Sequence, residues 1–117
     1  MNYGLAINLY PEPLRSVSFS SLSGTYIGIG AAFAHPIRIL HITNLTDVTV
    51  LLSLDGITDH LVTPSNSFIL LDLTANKTLD QGSYIAQGSR IYVKEIGIPT
   101  TGDVYVAAWF GTTGTNG

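Results

Sequence analysis

The sequence contains no cysteine, which excludes disulfides, thiolate metal ligands and a cysteine nucleophile. Charged residues are also scarce: Asp, Glu, Lys and Arg make up 11% of the 117 residues, against about 25% in a typical soluble domain. Uncharged Ser, Thr, Asn and Gly supply surface polarity in their place. Such a surface is typical of a subunit covered by several protein neighbours, although the composition also fits a secreted sandwich with a polar, uncharged coat.

The chain has no concentration of positive charge and no long apolar run. The net charge is -3, and the basic residues are spread out, so no direct contact with nucleic acid is predicted. The longest apolar stretch, Tyr26–Ala34, is broken by glycines and is far shorter than the ~20 residues of a membrane span. Met1–Tyr10 lacks the basic start and apolar run of a secretory signal, so we expect neither a membrane segment nor export by that route.

No catalytic or metal-binding motif stands out. The Gly-x-Ser-x-Gly motif of many serine hydrolases is missing. Asp55, Asp59 and His60 match no EF-hand or zinc spacing, and turn chemistry accounts for Asp55. Gly28-Ile29-Gly30 lacks the third glycine of a dinucleotide loop. We therefore predict a protein that is not an enzyme, with no catalytic residue, no cofactor and no metal.

The residues that are abundant favour β structure. Ile, Val, Thr, Tyr and Phe recur in short runs separated by Gly, Pro and Asn, which predicts an all-β fold, a single antiparallel, jelly-roll-like β-sandwich. Asp55-Gly56 predicts a tight type I′ hairpin, and the apolar residues on both faces of Ile37–Thr43 indicate a β-bulge or a strand covered on both sides. Gly24–Ala34 fits a weak strand or a close-packed loop. About eight short strands are predicted: Arg15–Ser21, Ile37–Thr43, Val48–Leu54, Ile57–Val62, Ser67–Leu73, Ser83–Ala86, Ser89–Lys94 and Asp103–Phe110.

These strands divide the chain into an extended N-terminal arm (1–14), a sandwich domain (15–110) and a flexible glycine-rich tail (111–117). Pro11-Glu12-Pro13 favours an extended path in the arm. The arm can fold back on its own domain or reach a neighbour, and the second is our expectation. Asp103–Phe110 is apolar on both faces, which indicates a strand that is central or covered by a partner.

Several turn-and-strand segments between Ile37 and Phe110 resemble those of small structural proteins in the virions of tailed bacteriophages. The segments are Asn44-Leu45-Thr46-Asp47, Leu52-Ser53-Leu54-Asp55-Gly56, Leu71-Asp72-Leu73, Gln87-Gly88-Ser89 and Thr101-Gly102-Asp103-Val104-Tyr105. The resemblance implies a compact sandwich that decorates the capsid or joins head to tail, assembled in the host cytoplasm. Its implied partners are the major capsid or neck and tail proteins and copies of itself.

Such a subunit acts by protein–protein contact. The alternative is a carbohydrate-binding sandwich, such as a lectin at a fibre tip, in which Tyr84, Tyr92, Tyr105 and Trp109 would form a stacking platform for sugars. Aromatic and apolar residues of the arm and the last strand are the predicted protein contacts, since such residues are enriched at interfaces. They are Leu5, Ile7, Leu9, Tyr10, Tyr105, Trp109 and Phe110.

Overall fold

The computed structural model describes residues 7–72 and 85–113, which form two antiparallel sheets. The strands are β1 (Ile7–Pro11), β2 (Arg15–Ser18), β3 (Ile27–Gly28), β4 (Ile37–Asn44), β5 (Thr49–Ser53), β6 (Leu61–Thr63), β7 (Ser67–Asp72), β8 (Tyr92–Ile96) and β9 (Asp103–Thr113). A 3-10 turn over Phe19–Ser21 ends the predicted strand Arg15–Ser21 early.

The first sheet has the order β1-β9-β4-β7, with β2 also paired to β9, and the second has the order β3-β8-β5-β6. Their facing side chains form one core: Ile42, Val104 and Val106 from the first sheet are fully buried with Val50 and Val93 from the second. Such a core is what alternating strands produce when each sheet turns one face inward. The predicted all-β sandwich is confirmed.

The last strand is the centre of the first sheet. β4 pairs along one edge of β9, and β2 and β1 follow each other along the other edge. The register of β4 shifts between Ile37 and Ile39, which is the irregularity predicted from the two apolar faces of that segment. The bulge lets Ile37 remain in the core while Ile39 lies on the opposite face.

Two boundaries differ from the predictions. Ile7–Pro11 belongs to the chain's own sheet, so this part of the arm folds back instead of extending to a neighbour. β9 continues to Thr113 because β1 pairs with it, so the predicted tail begins inside a strand. The segments 1–6, 73–84 and 114–117 lie outside the described residues, and with them the rest of the arm, most of the predicted strand Ser83–Ala86 and the end of the tail.

The predicted tight hairpin at Asp55-Gly56 is wrong. Leu52 pairs with Leu61, so a wide loop joins β5 to β6. A type I′ turn needs positive φ at both central residues, but Gly56 has φ +78° while Asp55 keeps an ordinary negative φ. The Asp55 carboxylate instead accepts hydrogen bonds from the backbone N–H groups of Ile57 and Thr58, at 2.8 Å each.

Candidate interaction face

The side of the first sheet that faces away from the core carries a contiguous apolar surface, which we call the outer face. Strand register places its residues in rows across the sheet. The rows are Ser16, Tyr105, Thr43 and Phe68; then Ala107, His41 and Leu70; then Pro11, Trp109, Ile39 and Asp72; and finally Leu9 and Gly111. Asp103 lies beyond the first row, next to Ser18.

Strict alternation of side chains in three strands produces this face. In β9, Val104, Val106 and Ala108 are buried, so Tyr105 and Trp109 lie on the other side. In β4 the bulge before Ile39 restores the same alternation. In β7 the half-buried residues pack on the core, and the residues between them are exposed. Because these outward positions carry apolar side chains, the sheet presents an apolar surface to its surroundings.

Exposure is greatest at the β7 end of this face. The exposed fraction is 62% for Phe68, 56% for Leu70 and 41% for Leu9, while Trp109 and Tyr105 are half-buried. The rings of His41 and Phe68 lie 5.1 Å apart between centroids. An apolar patch of neighbouring side chains on a soluble domain usually marks a contact with another molecule.

Among the outward positions placed by the strand register, the acidic residues lie at the ends of the outer face. Asp72 is at one corner and Asp103 is at the opposite end. The Tyr105 hydroxyl donates a hydrogen bond of 3.0 Å to the Asp103 carboxylate, and this bond, with the negative charge beside it, raises the pKa of Tyr105. Tyr105 therefore stays neutral at physiological pH, and the interior of the face can be covered without burying a charge.

The structure brings together part of the predicted contact set. Leu9, Tyr105 and Trp109 lie on the outer face. Tyr10 and Phe110 lie on the other side of the same sheet, where Phe110 packs against the core and their rings are 6.0 Å apart. Ile7 is in β1, paired with Thr113, and Leu5 lies outside the described residues.

Residues from β4 and β7 complete the face and were not among the predicted contacts. Phe68, Leu70, Ile39 and His41 all occupy outward positions in these strands. The available signal was the apolar character of both faces of Ile37–Thr43 and Ser67–Leu73. That signal does not say which face is inside the sandwich, because the answer depends on the pairing of distant strands.

A buried carboxylate fixes the arm to the domain, and it too was absent from the sequence prediction. Glu12 accepts a hydrogen bond of 2.8 Å from Arg15 and lies 3.0 Å from the His35 imidazole. It also accepts hydrogen bonds from the backbone N–H groups of Ala34 and His35. Burial alone would raise the pKa of Glu12, but the bonds from Arg15, His35 and Ala34 outweigh it and hold the pKa below its ordinary value.

The Arg15 side chain extends the same network. Its guanidinium donates to the backbone oxygens of Pro13, Ala31 and Ala32 and lies 4.6 Å from the centroid of the Phe33 ring. The His35 ring in turn stacks on Phe110, with centroids 3.6 Å apart. These contacts join the Pro-Glu-Pro segment to the 29–36 loop and to β9, so the base of the arm is part of the domain.

In the loop that joins β5 to β6, Asp55, Asp59 and His60 each have a hydrogen-bond partner within the chain. Ser53 and the backbone of residues 57 and 58 donate to Asp55. Asp59 accepts from the hydroxyl of Tyr26 and lies 3.2 Å from the Lys94 ammonium group. These bonds lower the pKa of Asp59. His60 accepts from the backbone N–H of Leu54. Within the described part of the chain, no group of three or more His, Cys, Asp or Glu side chains is arranged to hold a metal ion.

The aromatic residues considered for a sugar platform are divided between the two sheets. Tyr105 and Trp109 lie on the outer face of the first sheet. Tyr92 belongs to the second sheet, where its neighbour Val93 points into the core and Tyr92 therefore points away from it. Tyr84 lies outside the described residues. The described members of this set do not form one platform.

Comparison with known proteins gives little further information. No protein-family model and no curated protein matches the chain. Among solved structures, one similar chain belongs to the work "Bacillus endospore appendages form a novel family of disulfide-linked pili", with a TM-score of 0.49, 10% identity and coverage of 92% of each chain. At this level the likeness says nothing of what the present chain does. Among residues 7–72 and 85–113, no helix is long and apolar enough to cross a membrane.

Proposed function

We propose that this chain is a structural subunit that works through protein–protein contacts made by the outer face of its first sheet. The observation that carries the proposal is the run of uncharged residues at the register-paired outward positions of β1, β9, β4 and β7, with Asp72 and Asp103 at its ends. Covering this face removes apolar surface from water without desolvating a charge, which is the favourable case for association.

The proposed partners are other subunits of a protein shell, including copies of this chain. A specific interface typically buries about 800 Å² per partner, and symmetric repetition lets modest contacts sum to a stable assembly. The resemblance to virion proteins of tailed bacteriophages suggests a capsid decoration or head-to-tail position as the setting.

A charge placed in the middle of the outer face tests the proposal. Ala107→Glu introduces a carboxylate opposite His41 on β4, and covering it would remove a charge from water. We expect self-association, measured by sedimentation velocity over a range of concentrations, to weaken by about a hundredfold. Leu9→Glu, at a second position of the same face, should have the same effect.

The matched control is Val62→Glu, an equally drastic change at an exposed position of the second sheet. This variant should associate like the wild type, and circular dichroism should show that all the variants are folded. Equal association of Ala107→Glu and wild type would contradict the proposed face.

The virion setting has a test of its own. Purified virus particles should contain this chain in a fixed ratio to the shell protein, as determined by quantitative mass spectrometry. Particles that assemble fully without the chain, and never contain it, would contradict this setting while leaving the interaction face itself unaffected.

A further inference from the structure

Among the described residues, β7 is an edge strand that lies next to the outer face. β7 is the last strand of the first sheet, paired to β4 along one edge. Within residues 7–72 and 85–113, no strand pairs with its other edge. The strand is six residues long and apolar from Phe68 to Leu71. Natural edge strands usually carry charges, prolines or bulges that prevent pairing, and the Phe68–Leu71 stretch has none of these.

A second copy of β7 fits this edge by symmetry. Two identical strands related by a two-fold axis perpendicular to the sheet run antiparallel, and opposite residues must then lie on the same face. Even-numbered residues therefore pair with even-numbered residues, and odd with odd. Two registers then centre the pairing on the apolar stretch of β7. In one, Ile69 lies opposite its own copy; in the other, Leu70 does.

Side-chain chemistry selects the first register. With Ile69 at the axis, Phe68 lies opposite Leu70 of the other copy, twice, and the charged Asp72 falls beyond the paired segment, opposite the turn residue Asn66. With Leu70 at the axis, the carboxylate of Asp72 would lie directly against the ring of Phe68. Apolar cross-strand pairs stabilise a sheet, whereas the second register brings a charged residue into the paired segment and places it against an apolar ring.

We infer that two copies of this chain pair through their β7 edges, with Ile69 on the two-fold axis, to form one continuous ten-stranded sheet. This pairing also joins the two outer faces into a single apolar surface twice as wide. The inference rests on the structural role proposed above and identifies one of its partners as a second copy of the chain.

Because the chain has no cysteine, single introduced cysteines report the register directly. Residues opposite each other in an antiparallel pair have Cα atoms about 4.5–5.5 Å apart, which a disulfide can span. Under mild oxidation we expect Ile69→Cys to give a cross-linked dimer on a non-reducing gel. Leu70→Cys and Leu71→Cys should give little, although position 70 is the more exposed of the three. Preferential cross-linking of Leu70→Cys, or equal cross-linking of all three variants, would overturn the inference.

Charge pairs test the same register without cysteine chemistry. The double variant F68E/L70K places each introduced acid opposite an introduced base of the other copy, whereas F68E/L70E places acid opposite acid. Both variants lose the same two apolar side chains from the outer face. A difference between their dimer dissociation constants therefore reports on pairing at the β7 edge and not on contact through the outer face. We expect F68E/L70K to dimerise about tenfold more tightly, or better, by sedimentation velocity.

A mixture adds an internal check. F68E/L70E and F68K/L70K should each be monomeric alone and should form a mixed dimer at equal concentrations. Equal dissociation constants for F68E/L70K and F68E/L70E, with no mixed dimer, would overturn the edge pairing even if Ala107→Glu weakens association. An effect of the edge variants without any effect of Ala107→Glu would contradict the proposed face and leave the edge pairing in place.

Discussion

At the scale of single residues, Asn44 is a buried polar group whose side-chain nitrogen and oxygen both have hydrogen-bond partners. Its buried amide nitrogen lies 2.9 Å from the backbone oxygen of Val48, 3.0 Å from that of Thr63 and 3.2 Å from that of Pro64. Its side-chain oxygen accepts from the backbone N–H and the hydroxyl of Thr46. One side chain thus joins the turn after β4 to the turn after β6, so a polar residue at the end of an apolar strand organises both.

Asn44→Asp tests this role with almost no change in shape. A carboxylate cannot donate, so the backbone oxygens of Val48, Thr63 and Pro64 lose the Asn44 amide as a donor and face a negative charge, although the Pro64 oxygen keeps its bond from the Ser67 hydroxyl. We expect the free energy of unfolding to fall by about 3 kcal/mol or more at neutral pH, measured by urea denaturation. Asn66→Asp makes the same chemical change at an exposed turn position and should stay within about 0.5 kcal/mol of wild type. Equal losses would contradict the account.

Gly102 is fixed by the close approach of another backbone segment. It has φ +94°, and a Cβ there would overlap the backbone oxygen of Leu45 and crowd the Cα of Thr46. The turn before β9 can therefore lie against the turn after β4 because residue 102 has no side chain.

Two alanine substitutions distinguish the effect of this close contact on stability from the effect of the strained backbone conformation. At Gly88 the backbone has a positive φ of 89°, and a new Cβ would have open space around it. Gly88→Ala should therefore lower the free energy of unfolding by about 1 kcal/mol through backbone strain alone. Gly102→Ala introduces similar backbone strain and also a collision with another backbone segment. Its loss of unfolding free energy, measured by thermal or urea unfolding, should therefore be at least about 2 kcal/mol larger than that of Gly88→Ala. Similar losses for the two variants would show that the close approach contributes nothing.

At the scale of elements, the sequence indicates strands more reliably than their connections. Alternation and apolar runs predicted the positions of β4, β5, β7 and β9 closely, because each places one side chain in the core at every second residue. The wide loop after β5 was mistaken for a tight hairpin, because Asp-Gly satisfies turn chemistry locally while the pairing of Leu52 with Leu61 is set at a distance.

The arm shows the same limit of prediction. Pro11-Glu12-Pro13 indicates an extended path, and Pro11 is the last residue of β1. What the pattern does not contain is the partner of Glu12, since Arg15 is close in sequence but His35 and Ala34 come from a distant loop. The flanking prolines do not predict that the Glu12 carboxylate is buried. The fixed position of this carboxylate helps to hold β1 on the chain's own sheet.

The pH dependence of stability should report this carboxylate. The folded pKa of Glu12 lies below its ordinary value, so its contribution is complete above the pKa of the unfolded chain and is lost as pH falls through the folded pKa. At pH 7, Glu12→Gln should be less stable by about 2 kcal/mol, because the buried Arg15 loses its ionic partner.

Below about pH 4.5, the ordinary pKa of Glu12, the difference between wild type and Glu12→Gln should shrink, because the wild-type carboxyl group becomes protonated as well. Urea denaturation at a series of pH values from neutral to acid measures this difference directly. A gap between the two proteins that is constant over the whole series would show that Glu12 does not titrate with folding.

At the scale of the whole molecule, a low content of ionised residues and an outward apolar sheet face agree with each other. Composition alone indicated a surface that other proteins cover, but it did not locate that surface. The strand order locates it, by placing outward residues of β1, β9, β4 and β7 side by side. Three of the predicted contacts, Leu9, Tyr105 and Trp109, lie on this face. Its residues from β4 and β7 depend on long-range pairing that no local pattern records.

If protein covers this face, the purified wild-type chain should associate with itself, and its molar mass in solution reports this association. The chain alone has a mass of 12.5 kDa. We expect light scattering after size-exclusion chromatography to give a mass that rises with concentration to at least twice that value. A mass that stays at 12.5 kDa at every concentration, in a protein that remains soluble, would contradict the account.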